Sequence, residues 1–93
     1  MEKPLFVPLK TEWFCAFKSG SKTTEYRLYG PRWNERTCVK GRAVTLSHGY
    51  SGARLRATVR GHQLVKARDV PNATSIWHAN ATLIAINLRM IDG

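Results

Sequence analysis

The sequence predicts a mainly β, α+β fold: a small, strongly bent sheet or barrel with one short helix packed at its opening. Three observations carry this expectation. Ninety-three residues suit a single domain, 1–93, near the lower limit of what one apolar core holds together. Several segments alternate apolar and polar residues with the period of a strand, and only one stretch near the start carries a helical stripe. The resulting order, β-α-β-β-β-β, in so short a chain favours a small, strongly bent sheet or barrel plugged by one helix.

Leu5-Phe6-Val7, between Pro4 and Pro8, reads as a short extended piece, because proline at either end disfavours helix. Thr11 offers an N-cap side chain and Glu12 suits a first helical turn. Trp13, Phe14 and Phe17 then form one apolar stripe, Lys18 falls in the last turn, and Gly20 can take the left-handed terminal position. The helix is therefore expected over 11–19. Lys22–Tyr29 alternates and is rich in Thr and Tyr, as a strand is, and Gly30-Pro31 ends it. Pro31–Thr37 is a polar loop holding one tryptophan.

Ala43–His48 alternates again, with Val44 and Leu46 on one face. A turn over His48–Gly52 leads to Ala53–Gly61, where Leu55, Ala57 and Val59 face inward and Arg54, Arg56, Thr58 and Arg60 outward. Gln63–Lys66 extends that hairpin. Asp69–Asn80 reads as a loop with a helical turn. Thr82–Met90 closes the chain as a strand with Ile84, Ile86, Leu88 and Met90 on one face.

Hydrophobic residues at 43% and charged residues at 23% are those of a globular chain, not a disordered one. Fifteen Lys and Arg against six Asp and Glu leave a net charge of +9. So large a surplus on a small surface attracts polyanions, nucleic acid above all. It is spread along the chain, which implies a folded basic face and not a basic tail. Cys15 and Cys38 have no C-x-x-C spacing, and His48, His62 and His78 are scattered, so reduced thiols, no metal and no cofactor are expected. No apolar run reaches the ~18 residues of a membrane span and no signal-peptide pattern opens the chain, which points to the cytoplasm and no membrane partner. Asn72-Ala73-Thr74 and Asn80-Ala81-Thr82 then read as polar loop.

The 20–30 stretch, GSKTTEYRLYG, mixes both charge signs with aromatics. Strand parity puts Thr23, Glu25, Arg27 and Tyr29 on one face and Lys22, Thr24, Tyr26 and Leu28 on the other. Tyr26 and Leu28 read as the packed face, and Glu25 and Arg27 as neighbours on the polar one. In a cleft, Arg27 would hold an anion or carbonyl and Glu25 would accept from an amide or amine. Lys22 has the wrong parity, but a bulge or turn at the glycine end would swing its ammonium into the same place. The plain alternative is a surface ion pair beside a solvated lysine.

These residues resemble a family. The run PLKTEWFCAFKSGSKTTEYRLYGPRWNER is similar to the start of ASCH domains, which have a PUA-like β-barrel. The Gly-x-Lys-x-x-Glu-x-Arg pattern falls on Gly20, Lys22, Glu25 and Arg27, with Tyr26 before the arginine and Pro31–Trp33 after it as in small phage or bacterial members. Gly41–Ser47 and His48-Gly49-Tyr50 also resemble a strand and turn of such members. The resemblance covers about residues 5–60. It implies a cleft between barrel and helix, floored by the patterned strand, with RNA or a nucleoside as ligand.

Two function classes follow. As a binding module for single-stranded RNA or a nucleotide, the chain would neutralise phosphates with Lys18, Lys22, Arg27, Arg32, Arg36, Arg54, Arg56 and Arg60, with Thr23 and His48 beside them. Trp33 and Tyr50 would stack on bases, the alternative for Trp33 being core packing. As an enzyme it would be a small metal-independent ribonuclease or a modified-nucleoside amidohydrolase. Lys22, Glu25 and Tyr26 are the candidate catalytic groups, with His48 as an acid in the ribonuclease. The family's amidohydrolases use a lysine, a threonine and a later glutamate. Lys22 matches, but Glu25 stands at the threonine position and no acid lies between Glu35 and Asp69. A protein–protein adaptor is a weaker third class, since it calls for an exposed apolar patch.

Overall fold

In a computed structural model, residues 3–91 are described. Five strands and one helix follow in the order β1 (Leu5–Leu9), α1 (Thr11–Ser19), β2 (Thr24–Leu28), β3 (Ala43–His48), β4 (Arg54–Lys66) and β5 (Thr82–Ile91). The strands form one curled half-barrel sheet ordered β1-β3-β4-β5-β2, parallel only at β1–β3. β1 and β2, close in sequence, thus lie on opposite edges, and α1 runs between them. Pro8 is tolerated inside β1 because an edge strand has one side free of ladder bonds.

The main core sits on the helix side of the sheet. Phe14 and Phe17 pack there with Val7, Val44, Leu46, Val59, Ile84, Ile86 and Leu88, each apolar side chain removing area worth about 25 cal/mol per Å² from water. On the opposite face, Leu83 lies under the 67–81 excursion, where Ala67, Ala73, Val65, Val70, Trp77 and Tyr26 form a smaller cluster. That excursion contains two 3₁₀ turns, 67–69 and 73–75, in place of the single helical turn expected. Elsewhere on the sheet's outer side Arg54, Arg56, Arg60 and Arg89 are exposed.

β4 is one strand of 13 residues, so the expected hairpin arm and its extension are continuous. Its register against β5 shifts between Val59 and Gly61, leaving Arg60 in a bulge. Thr11 is not the N-cap. Lys10 occupies that position without a side-chain cap bond, and Thr11 opens the helix itself. β2 is shorter than the alternation implied, because Lys22 and Thr23 belong to the turn leaving the helix. Ser47 is fully buried and its hydroxyl has no partner among the described residues.

Candidate functional site

The geometry of the Gly20–Arg27 stretch is set where α1 ends. Gly20 takes φ +85°, the left-handed conformation, and its N–H donates to Phe17 O at 3.2 Å. The chain folds back so that Lys22 N–H donates to Ala16 O at 3.1 Å. The lysine side chain then runs along the Trp13–Phe17 stripe, with Nζ 5.4 Å from the Trp13 ring centroid, 5.3 Å from Phe17 and 5.6 Å from Tyr26. Such contacts favour the cation by about 0.5–2 kcal/mol each, depending on desolvation.

Strand pairing carries Glu25 and Arg27 to the same place. Glu25 is registered opposite Ile86 and Arg27 opposite Ile84, so both lie on the core side of the sheet. The expected packed face is therefore corrected. Glu25 is buried while Leu28 is half exposed, at 50%, and Tyr26 packs against the smaller cluster on the opposite face. Polarity misleads here because the charged groups neutralise one another. Arg27 donates through Nε to Glu25 Oε2 at 2.9 Å, its Nη2 lies 2.8 Å from the same oxygen, and Lys22 Nζ stands 3.8 Å from Oε1.

Arg27 Nη2 also donates to Pro8 O at 3.1 Å. This bond joins the two edge strands, β2 to β1, across the open side of the half-barrel. Burial pushes the Glu25 carboxyl above its ordinary pKa, and the charges of Arg27 and Lys22 offset part of that rise. Trp33 completes the rim. It packs against the core, and the guanidinium carbons of Arg27 and Arg32 lie 5.1 and 5.3 Å from its ring centroid.

The 30–37 loop that delivers Trp33 is organised by Asn34, a buried residue that sequence reasoning passed over. Its Nδ2 donates to Gly30 O and Pro31 O, and its Oδ1 accepts from the Arg36 and Thr37 N–H groups. Asn at the head of a polar N-E-R-T run was the available signal. Arg36 itself is exposed. Tyr29 donates its hydroxyl to the Glu35 carboxylate. That bond holds the exposed phenol above and the carboxyl below their ordinary values.

The remaining predicted residues lie elsewhere. His48 Nε2 is 2.7 Å from Thr11 Oγ1 and its ring stacks on Phe14 at 5.3 Å. Thr11 and Phe14 flank the Trp13–Phe17 side of α1, along which Lys22 lies. His48 is thus held by Thr11 and Phe14, and the structure does not join it to Lys22, Glu25 or Arg27 as an acid. Lys18 is exposed in the last turn of α1. Arg54 lies over the Phe6 ring at 5.0 Å, and Tyr50 is 79% exposed. Arg56 is exposed on the outer face. Thr23 and Arg60 line an open recess of about 330 Å³ with Gly61, Asn87 and Leu88. Glu25 and Arg27 do not line this recess.

Cys38 is buried, which pushes its thiol upward, and Cys15 is exposed; both are free. No helix among the described residues is long and apolar enough to cross a membrane.

Fold and site together define a mainly β, half-barrel protein with one helix and an ion cluster at the helix end. Among solved structures, the chain is similar to the crystal structure of the hypothetical protein PH0355. The TM-score is 0.71 at 17% identity, covering 96% of this chain and 100% of that one. At that identity the likeness shows the fold. No family model and no curated protein matches the sequence.

Proposed function

We propose that the protein binds RNA or a nucleotide as an ASCH-type, PUA-like domain, at the rim built from Lys22, Glu25, Arg27 and Trp33. The observation that carries this reading is the convergence of three kinds of group on one rim. Lys22 is a cation whose long stem lets it leave its aromatic rings. Glu25 is a buried acceptor suited to the amino or imino donors of a base. Trp13, 44% exposed, and Trp33 are indoles at its border. A base stacks on an indole, the carboxylate reads its donors, and Lys22 with Arg32 meets the phosphate. The net charge of +9 supports an anionic ligand.

The enzymatic reading uses the same rim. A buried carboxyl with a raised pKa suits general acid–base work, and the Lys22 ammonium beside it is a donor. A metal-independent hydrolase acting on RNA or a modified nucleoside is thus the second reading.

Equilibrium binding of a panel of nucleosides, nucleoside monophosphates and short single-stranded RNAs tests the first reading. Trp33→Leu is expected to weaken the best ligand by about tenfold, the worth of one stacked base, and Lys22→Met to weaken phosphate-bearing ligands more than bare nucleosides. Equal affinity for all three proteins would overturn it. Product formation that Lys22→Met abolishes would favour the hydrolase.

A further inference from the structure

We infer that the arginine-bearing outer face of β3, β4 and β5 is a second interface, which takes the backbone of a single-stranded nucleic acid. Charge and register point there together. Arg54, Arg56 and Thr58 alternate with the inward Leu55, Ala57 and Val59 along β4, so like-facing side chains recur every two residues, about 7 Å apart, and exposed Arg60 follows in the bulge. Arg89 extends the row sideways, because it is registered beside Thr58 on β5. Thr45, partly exposed, flanks Arg56 on β3.

No acid among the described residues balances this row. Of the four acids there, Glu12 is on α1, Glu25 is held at the rim, Glu35 is in the 30–37 loop bonded to Tyr29, and Asp69 is in a 3₁₀ turn. Arg56, Arg60 and Arg89 are exposed, with no polar partner among the described residues. A folded surface that sets unpaired guanidinium groups side by side with no counter-charge is complementary to a polyanion.

The ends of the row narrow the class of polyanion. At one end Phe6 and Tyr50 lie with ring centroids 6.1 Å apart, Arg54 sits over Phe6, and Tyr50 is largely exposed. Arg54 is fixed there by donating to Tyr50 O and Gly52 O. At the other end the bulge at Arg60 opens the recess lined by Thr23, Gly61 and Asn87. The recess reaches the backbone at Gly61, where a Cβ would meet nothing within 4 Å. Aromatic planes at the head of an arginine row fit unstacked bases on a phosphodiester, and a duplex has no free base faces to offer.

The outer face shares the anionic ligand class of the proposed function but uses other residues, so the two can fail separately. The probe is a labelled oligouridylate of about 12 nucleotides, long enough to cross a small β-domain, titrated at several salt concentrations. Arg56→Ala/Arg89→Ala removes two exposed cations on which no hydrogen bond or ion pair of the described fold depends. It is expected to flatten the slope of log K against log salt by about 1.4, or 0.7 for each phosphate no longer neutralised. Tyr50→Ala is expected to weaken binding about tenfold with the slope unchanged, and to leave heparin, which has no bases, unaffected.

A wild-type slope in the double variant overturns the inference. So does an equal effect of Tyr50→Ala on heparin and oligouridylate, which would mark a surface for any polyanion. If oligouridylate does not bind while a nucleoside stabilises the protein, the outer face fails and the rim stands. If Arg56→Ala/Arg89→Ala impairs binding while Lys22→Met and Trp33→Leu change nothing, the outer face stands and the rim fails.

Discussion

At Glu25 the cost of burial and the attraction of two cations act on one carboxylate. Arg27 takes one oxygen and Lys22 approaches the other, yet desolvation is the larger effect and the carboxyl sits above its ordinary 4.5. The folded state therefore holds this proton more tightly than the unfolded chain does. Glu25 favours the fold most below pH 4.5, and that contribution is lost as pH rises through the raised value. Glu25→Gln removes this dependence. The stability difference, wild type minus variant, is expected to decline as pH rises from 4.5, measured by urea denaturation at closely spaced pH values. A difference that rises with pH would mean that Arg27 and Lys22 outweigh burial.

At the scale of elements, the end of α1 determines where Lys22 goes. Gly20 has room for a side chain but a φ of +85°, which costs an ordinary L-residue about 1–2 kcal/mol. Gly20→Ala is expected to lose that much stability and Gly20→Asn less, because asparagine tolerates the left-handed region. Chemical denaturation of both variants checks this. Equal losses in the two would show that the turn, and with it the path of Lys22, has rearranged. This helix end was legible in the sequence, from Gly20 and the stripe before it. The lysine's destination was foreseeable only as a bend, since parity placed it on the wrong face. Which face of β2 is packed was not legible, because alternation treats charge as a mark of solvent. Here Glu25 is buried against partly exposed Lys22 and Arg27, and Leu28 is left outside.

At the scale of the molecule, the order of elements and most strand limits follow from period-two alternation, as Ala43–His48 shows. The sheet order does not. Nothing local says that β1 pairs parallel with β3 or that β2 pairs with the last strand, and those pairings bring Arg27 to Pro8. The same curl divides the cations. Lys22 and Arg27 are satisfied internally on the concave side, while Arg56, Arg60 and Arg89 face solvent on the convex side. Charge content was visible in the composition, but its division between the rim and the outer surface is a property of the curled sheet.

The position of β2 has a consequence for how the chain is made. Residues 24–28 pair only with 83–87, and β1 waits for β3, so a ribosome releases the first third of the chain long before its partners exist. β3, β4 and β5 form a meander of neighbouring antiparallel strands and close shorter loops, which is entropically cheaper. We expect pulse-labelled hydrogen exchange during refolding to protect β4 and β5 amides first and those of β1 and β2 last; early protection of β2 would contradict this order. Until then β1 and β2 are unpaired strands on a nascent chain. Pro8 in one and the charges of Glu25 and Arg27 in the other restrain them from pairing with strangers during that wait.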